Sequence, residues 1–187
     1  MKPLLRFESV ALRRGGRQLF QDLDLALGPG EALQVRGPNG SGKSSLIRLA
    51  AGLLRPERGE VERSRVALAD DAIALDPELP LRRALGFWSA QPDAAMAALG
   101  LAELAEVPVR LLSSGQLKRA TLGRVVASGA PLWLLDEPLN GLDGEGADRL
   151  TQVLAAHRAG GGVVLAASHQ LLPGEWRKLE LGQGETI

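Results

Sequence analysis

Apolar and polar residues alternate from Leu4 to Leu12 and again from Leu19 to Leu27, where Leu19, Leu23, Leu25 and Leu27 share one side. Both stretches read as half-buried strands joined by a turn at Gly15-Gly16. Gly28-Pro29-Gly30 marks a second turn, and Ala32 to Val35 is a short strand that runs into a glycine-rich loop. From Lys43 the spacing becomes helical, with Leu46, Ile47, Ala50 and Leu54 on one side. That helix ends at Gly52 or at the Arg55-Pro56 step.

From about Ala74 to Ala105 the chain is rich in Ala and Leu and interrupted by Pro77, Pro80, Pro92 and Gly100. Several short helices are expected there, forming a helical subdomain of about residues 74–120 inserted into the core. A longer helix from Ser114 to about Ser128 leads through Pro131 into the apolar strand Leu132 to Leu135. Another helix (Ala147, Leu150, Val153, Leu154) precedes Gly160-Gly161-Gly162 and a buried strand, Val163 to Ala167. Strands alternating with helices predict an α/β fold with a mostly parallel sheet and ligands at the strands' C-terminal ends. The 187 residues suit a single domain over 1–187.

Charge and composition narrow the possibilities. Lys+Arg and Asp+Glu are both 22, and the arginines are scattered rather than gathered into a stripe, so no nucleic-acid partner is expected. The absence of cysteine excludes thiol catalysis, disulfides and cysteine zinc sites. The N-terminus meets charge at Lys2 and Arg6 too early for a signal peptide. No segment approaches the ~18–20 apolar residues that cross a bilayer, so any membrane role must come from a partner.

Gly37-Pro38-Asn39-Gly40-Ser41-Gly42-Lys43-Ser44 fits the phosphate-loop pattern G-x-x-x-x-G-K-[ST] between a strand and a helix. Its glycines let backbone N–H groups turn inward around phosphate oxygens, and the helix adds its positive end. Lys43 would reach the β- and γ-phosphates of ATP, and the Ser44 hydroxyl would join a Mg²⁺ shell. Ser45, in the same first turn, is counted with the nucleotide site. The strand Leu132 to Leu135 ends in Asp136-Glu137. There Asp136 would hold Mg²⁺ and Glu137 would accept a proton from an attacking water.

Leu112-Ser113-Ser114-Gly115-Gln116 resembles the signature sequence of ABC ATPases, usually Leu-Ser-Gly-Gly-Gln, at the family's usual distance before Asp136. A small-residue loop at a helix N-terminus can offer a hydroxyl and N–H groups to a phosphate. In that family it does so across a dimer interface. Asn140-Gly141-Leu142-Asp143 is similar to the family's D-loop, and Ser168-His169 to its H-switch, in which His169 would contact the γ-phosphate and help hold the water and Glu137. His157 is read as structural. The resemblance implies an ABC-type nucleotide-binding domain with a small antiparallel β subdomain and the inserted helical one. Catalytic roles fall to Lys43, Glu137 and His169. ATP contacts fall to residues 37–45, Ser113, Ser114, Gly115, Gln116 and Asp143, and Mg²⁺ ligation to Ser44 and Asp136.

Two positions depart from the family pattern. Arg14 stands where an aromatic residue usually stacks on adenine, and an Arg plane can also stack on a base. Asp70 and Asp71 stand where the Q-loop glutamine is expected, either as a solvated acidic pair or with part of a Mg²⁺ or coupling role. The stretch from Gly59 to Asp70 is shorter than usual, so a peripheral hairpin is expected to be trimmed.

Within the family, the phosphate loop, Gly86-Phe87-Trp88, Pro131 to Pro138 and Ser168-His169-Gln170 resemble the ATP-binding subunit of the haem exporter in bacterial cytochrome c maturation. That likeness implies integral-membrane partner subunits, a peripheral position on the cytoplasmic face of the inner membrane, and an ATP-dependent homodimer. Phe87 and Trp88 have two readings, core packing or contact with a membrane subunit. Too few residues separate Lys43 from Ser113 for the long coiled coil of DNA-repair relatives, and only one cassette is present. An exporter ATPase for another cargo is the main alternative, followed by a non-transport ABC ATPase.

Overall fold

The computed structural model describes residues 2–70, 72 and 74–182. Strands β1 (Leu5–Arg14) and β2 (Arg17–Leu27) pair antiparallel around the Gly15-Gly16 turn. A third strand, β4 (Arg58–Arg63), pairs antiparallel with the other edge of β1, giving the order β2-β1-β4. This is the expected antiparallel subdomain. The pattern did not reveal β4, because in Arg-Gly-Glu-Val-Glu-Arg only Val61 is even half-buried.

The main sheet has five parallel strands in the order β5-β6-β7-β3-β8. They are β3 (Ala32–Arg36), β5 (Val66–Ala69), β6 (Leu132–Asp136), β7 (Val163–Ala167) and β8 (Arg177–Glu180). Both faces are covered, as a parallel sheet requires. Leu33, Val35, Leu132, Leu134, Val163 and Leu165 meet α1 (Lys43–Ala51) and the antiparallel subdomain in one apolar layer. Trp133, Leu135, Val164 and Ala166 face the other layer, built by α4 (Ser114–Ala127) and α5 (Gly144–Ala159).

The helical stretch is as predicted: α2 (Leu81–Gly86), α3 (Pro92–Ala98) and two short turns, Ala102–Leu104 and Val109–Leu111. Leu81, Leu85, Met96, Leu99 and Leu101 are all buried and continue the α4 layer without a break. The subdomain is thus joined to the core by packing on α4.

Polar contacts also hold this junction: Arg119 of α4 donates to the Leu99 and Gly100 carbonyls, both at 3.3 Å. The Arg124 guanidinium of α4 donates to the Leu68 carbonyl of β5 and lies 4.8 Å from the centre of the Trp88 ring. Burial lowers the Arg124 pKa, partly offset by the negative charge of Asp70. Asp70 Oδ1 accepts the Ala72 N–H at 3.2 Å. Asp71 lies outside the described residues.

Candidate functional site

The C-terminal edge of the parallel sheet gathers the chemistry. β3 delivers residues 37–42 as a loop, with Gly37, Gly40 and Gly42 at φ of 142°, 78° and 104°. These left-handed positions, closed to most side chains, turn the backbone into a cradle ahead of α1. Gly42 caps α1 without any side-chain partner, so the first N–H groups of the helix stay available to an anion. Lys43 folds back over the cradle, its Nζ donating to Gly37 O at 2.8 Å and Pro38 O at 3.1 Å. Ser45 and Ser41 are buried, and Ser44 is half-buried in the first turn.

The cradle has a back wall that the motif does not reveal. β8 runs beside β3, and the Leu181 N–H donates to Arg36 O at 2.8 Å. A Cβ on Gly37 would lie 2.3 Å from the Leu181 carbonyl oxygen and 2.8 Å from Ser41 Oγ. A Cβ on Gly182 would meet Ser41 Cβ at 3.1 Å. The loop is thus pressed between α1 and the chain just beyond β8. On the opposite side, Leu19 and Phe20 of β2 pack against Gly42, within 3.2 Å and 3.6 Å of where its Cβ would be. Arg14, expected near the base, stands at the exposed end of the hairpin. Phe20 is the aromatic residue that the structure brings to the loop.

β6 is buried up to Asp136, which is half-buried at the strand's end. Glu137 follows with φ 45°, a strained angle for a residue with a side chain and unusual before a proline. Its N–H donates to Ala167 O at 2.8 Å, which fixes the turn. Glu137 Oε2 then receives both the His169 ring, Nδ1 at 2.9 Å, and the His169 backbone N–H at 3.4 Å. The two residues predicted to act together are therefore in direct contact, with the carboxylate mostly shielded and the imidazole half exposed.

Ser113 is the N-cap of α4 in a reciprocal capping box with Gln116. Ser113 Oγ accepts the Gln116 N–H at 3.3 Å, and Gln116 Oε1 accepts the Ser113 N–H at 2.9 Å. The Ser113 hydroxyl accepts locally in this cap, a role that does not use its own hydrogen. Ser113 and Ser114 are exposed. A Cβ on Gly115 would sit 3.2 Å from Gly141 O, so the signature and D-loop segments abut. Asp143 is the N-cap of α5, its Oδ1 accepting the Gly146 N–H at 2.7 Å.

His157 lies on α5 away from this edge and stacks on Trp133, with ring centres 3.7 Å apart and planes at 9°. That is the structural role expected for it. Phe87 is 83% exposed, which removes the core-packing reading for that residue. Leu53, Trp88 and Arg124 line a neighbouring groove of about 230 Å³ with Ala51, Val66 and Leu68. Among the described residues no helix is long and apolar enough to cross a membrane.

Comparison with known proteins agrees with this geometry. The family model described as "ABC transporter" matches residues 20–140. The chain is 58% identical over 177 residues to the "Cytochrome c biogenesis ATP-binding export protein CcmA" of Sphingopyxis alaskensis, covering 90% of this chain and 91% of that protein. It is 55% identical to the protein of the same name in Novosphingobium aromaticivorans, with 87% of each covered. The solved "Structure of ATP binding subunit of ABC transporter" has the same fold, with a TM-score of 0.86 at 22% identity over 97% of this chain and 87% of that one. With the phosphate cradle, the Glu137–His169 pair and the capped signature helix all in place, this chain belongs to the ABC transporter family, as an ATP-binding domain that couples hydrolysis to transport.

Proposed function

We propose that this chain is the ATP-hydrolysing motor subunit of a haem exporter serving cytochrome c biogenesis. In this reading it works with integral-membrane subunits on the cytoplasmic face of a bacterial inner membrane. The observation that carries the reading is the 58% identity, over 90% of the chain, with a protein named for cytochrome c biogenesis and export. An intact hydrolytic pair supports the motor role.

The backbone N–H groups from Gly37 to Ser45 cradle the phosphates of ATP, and Lys43 exchanges its two carbonyl contacts for the β- and γ-phosphates. Ser44 and Asp136 would hold Mg²⁺. They offer hard oxygen donors, and among the described residues no cluster of three His, Cys, Asp or Glu side chains exists to hold a metal. That suits Mg²⁺, which takes one or two protein ligands and completes its shell with phosphates and water. When bound, it would neutralise charge on the phosphate oxygens. Glu137 takes the proton of the attacking water, and His169 holds the Glu137 carboxylate and faces the γ-phosphate.

Two copies form a head-to-tail dimer when ATP is bound. Ser113, Ser114, Gly115 and Gln116 of one copy, with Asp143 nearby, meet the nucleotide of the other. The free hydrogen of the Ser113 hydroxyl and the open N-terminus of α4 suit that contact. The exposed Phe87 and the groove beside Trp88 form the surface for a membrane subunit.

A haem stain of c-type cytochromes tests the whole reading. In cells whose only copy carries Glu137→Gln at normal protein level, all c-type cytochromes are expected to disappear. Normal cytochromes would assign the ATPase to another cargo.

A further inference from the structure

Between β7 and β8 the chain has no regular structure from Ser168 to Trp176, yet this segment carries His169 against Glu137. A free-standing loop would let the ring wander, so the anchors of the segment matter. Ser168 N–H donates to Val35 O at 3.2 Å, and Gln170 N–H donates to Ser168 Oγ at 3.1 Å. Arg158 donates to Glu175 O near the far end, and Glu137 accepts the His169 N–H. Three further contacts come from one side chain.

Gln34 lies in β3, opposite Ala166 of β7, and is 1% exposed. Its neighbours Leu33 and Val35 point into the α1 layer, so Gln34 points into the other apolar layer. A carboxamide buried among apolar side chains is unfavourable unless its hydrogen bonds are made. Here every one of them goes to the His169 loop. Nε2 donates to Gln170 O at 2.5 Å and reaches Ser168 O at 3.5 Å, while Oε1 accepts the Leu172 N–H at 3.4 Å. The contacts bracket His169 on both sides. An apolar residue of the same size would fill the core as well but would leave two carbonyls and an N–H of this loop with less.

We infer that Gln34 is a positioning residue for hydrolysis, a buried peg that sets where His169 stands. It stands three residues before Gly37, on the strand that delivers the phosphate loop. The same strand thereby fixes both the cradle and the histidine, so a shift of either is felt by the other. The inference rests on the proposed role of His169 at the γ-phosphate.

The test uses the full chain with Gln34→Met, which keeps the volume and removes donor and acceptor. Turnover at saturating ATP is expected to fall about tenfold or more, with KM for ATP changed less than about threefold. The chain has two histidines, so ring-labelled protein gives two sets of signals. In Gln34→Met those of His169 should move and those of His157 should not. In a His169→Ala background, adding Gln34→Met should slow residual single-turnover hydrolysis no further. Parental turnover and unmoved His169 signals in Gln34→Met, or an undiminished extra loss in the double variant, would overturn the inference. If His169→Ala itself turns over at the parental rate, the role of His169 falls and this inference falls with it. A slow His169→Ala beside a parental Gln34→Met removes Gln34 alone. Should Gln34→Met not fold, amide exchange in the parent decides: the Leu172 N–H should exchange much more slowly than that of exposed Leu171, and equal rates refute the peg.

Discussion

Glu137 and His169 meet through a single carboxylate oxygen: Oε2 lies 2.9 Å from the ring Nδ1 and 3.4 Å from the backbone nitrogen of the same histidine. Both hydrogen bonds to His169 thus fall on one oxygen of the Glu137 carboxylate.

Glu137→Gln keeps an oxygen that can accept from His169 but cannot take a proton. Its ATP affinity is expected to stay within about threefold of the parent, while hydrolysis drops by roughly 10²–10⁴-fold. Size-exclusion chromatography with ATP should show the variant held as a dimer. Undiminished phosphate release would remove Glu137 from the base role.

Lys43→Ala removes the ammonium that bridges Gly37 O and Pro38 O, together with its contact to the nucleotide. A charge-assisted hydrogen bond contributes about 1.5–3 kcal/mol, so ATP should bind on the order of 10–100-fold more weakly. Titration with a fluorescent nucleotide measures this, and unchanged affinity would contradict the cradle.

Gly37 and Gly40 both have positive φ, but only Gly37 has backbone in the way of a side chain. Gly40→Ala is expected to cost only the left-handed strain, about 1–2 kcal/mol. Gly37→Ala must also push Leu181 away, and should lower both the melting temperature and nucleotide affinity far more. Equal effects of the two substitutions would mean that the chain beyond β8 does not confine the loop.

Burial lowers the pKa of His157, whose ring lies flat on Trp133. A folded-state pKa below the unfolded value of about 6.5 favours folding while the ring is neutral. Its contribution is complete above about pH 6.5 and is lost as pH falls through the folded-state value. The slope cannot exceed about 1.4 kcal/mol per pH unit for one proton. Urea melts from pH 7.5 to 5.5 should show this slope in the parent and a shallower one in His157→Phe, which keeps the stack without titrating.

The parts of this molecule that were legible in advance are those whose signal is local. The phosphate loop, the strand ending in Asp136-Glu137 and the helix beginning at Ser114 each announce themselves in a few consecutive residues, and the structure has the strand, the loop and the helix at those positions. β4 and β8 escaped because Arg58–Arg63 and Arg177–Glu180 have little apolar pattern; they are strands because β1 and β3 offer them an edge. Gln34 escaped for a related reason. One glutamine in an apolar strand reads as a lapse in the pattern, and its partners lie 134 to 138 residues further on. The influence of Asp70 on Arg124 was hidden in the same way, since Asp70 follows β5 and Arg124 lies far along the chain in α4.

The wall formed by Leu181 and Gly182 behind the phosphate loop also sets an order of events in the cell. The loop occupies residues 37–42, but the backbone that confines it comes about 140 residues later. A chain emerging from the ribosome N-terminus first can form the β1–β2 hairpin early, because those contacts are local. Its ATP site stays unfinished until β8 slides in beside β3. A fully formed ATP site therefore reports that the chain has been made and docked at least as far as Gly182.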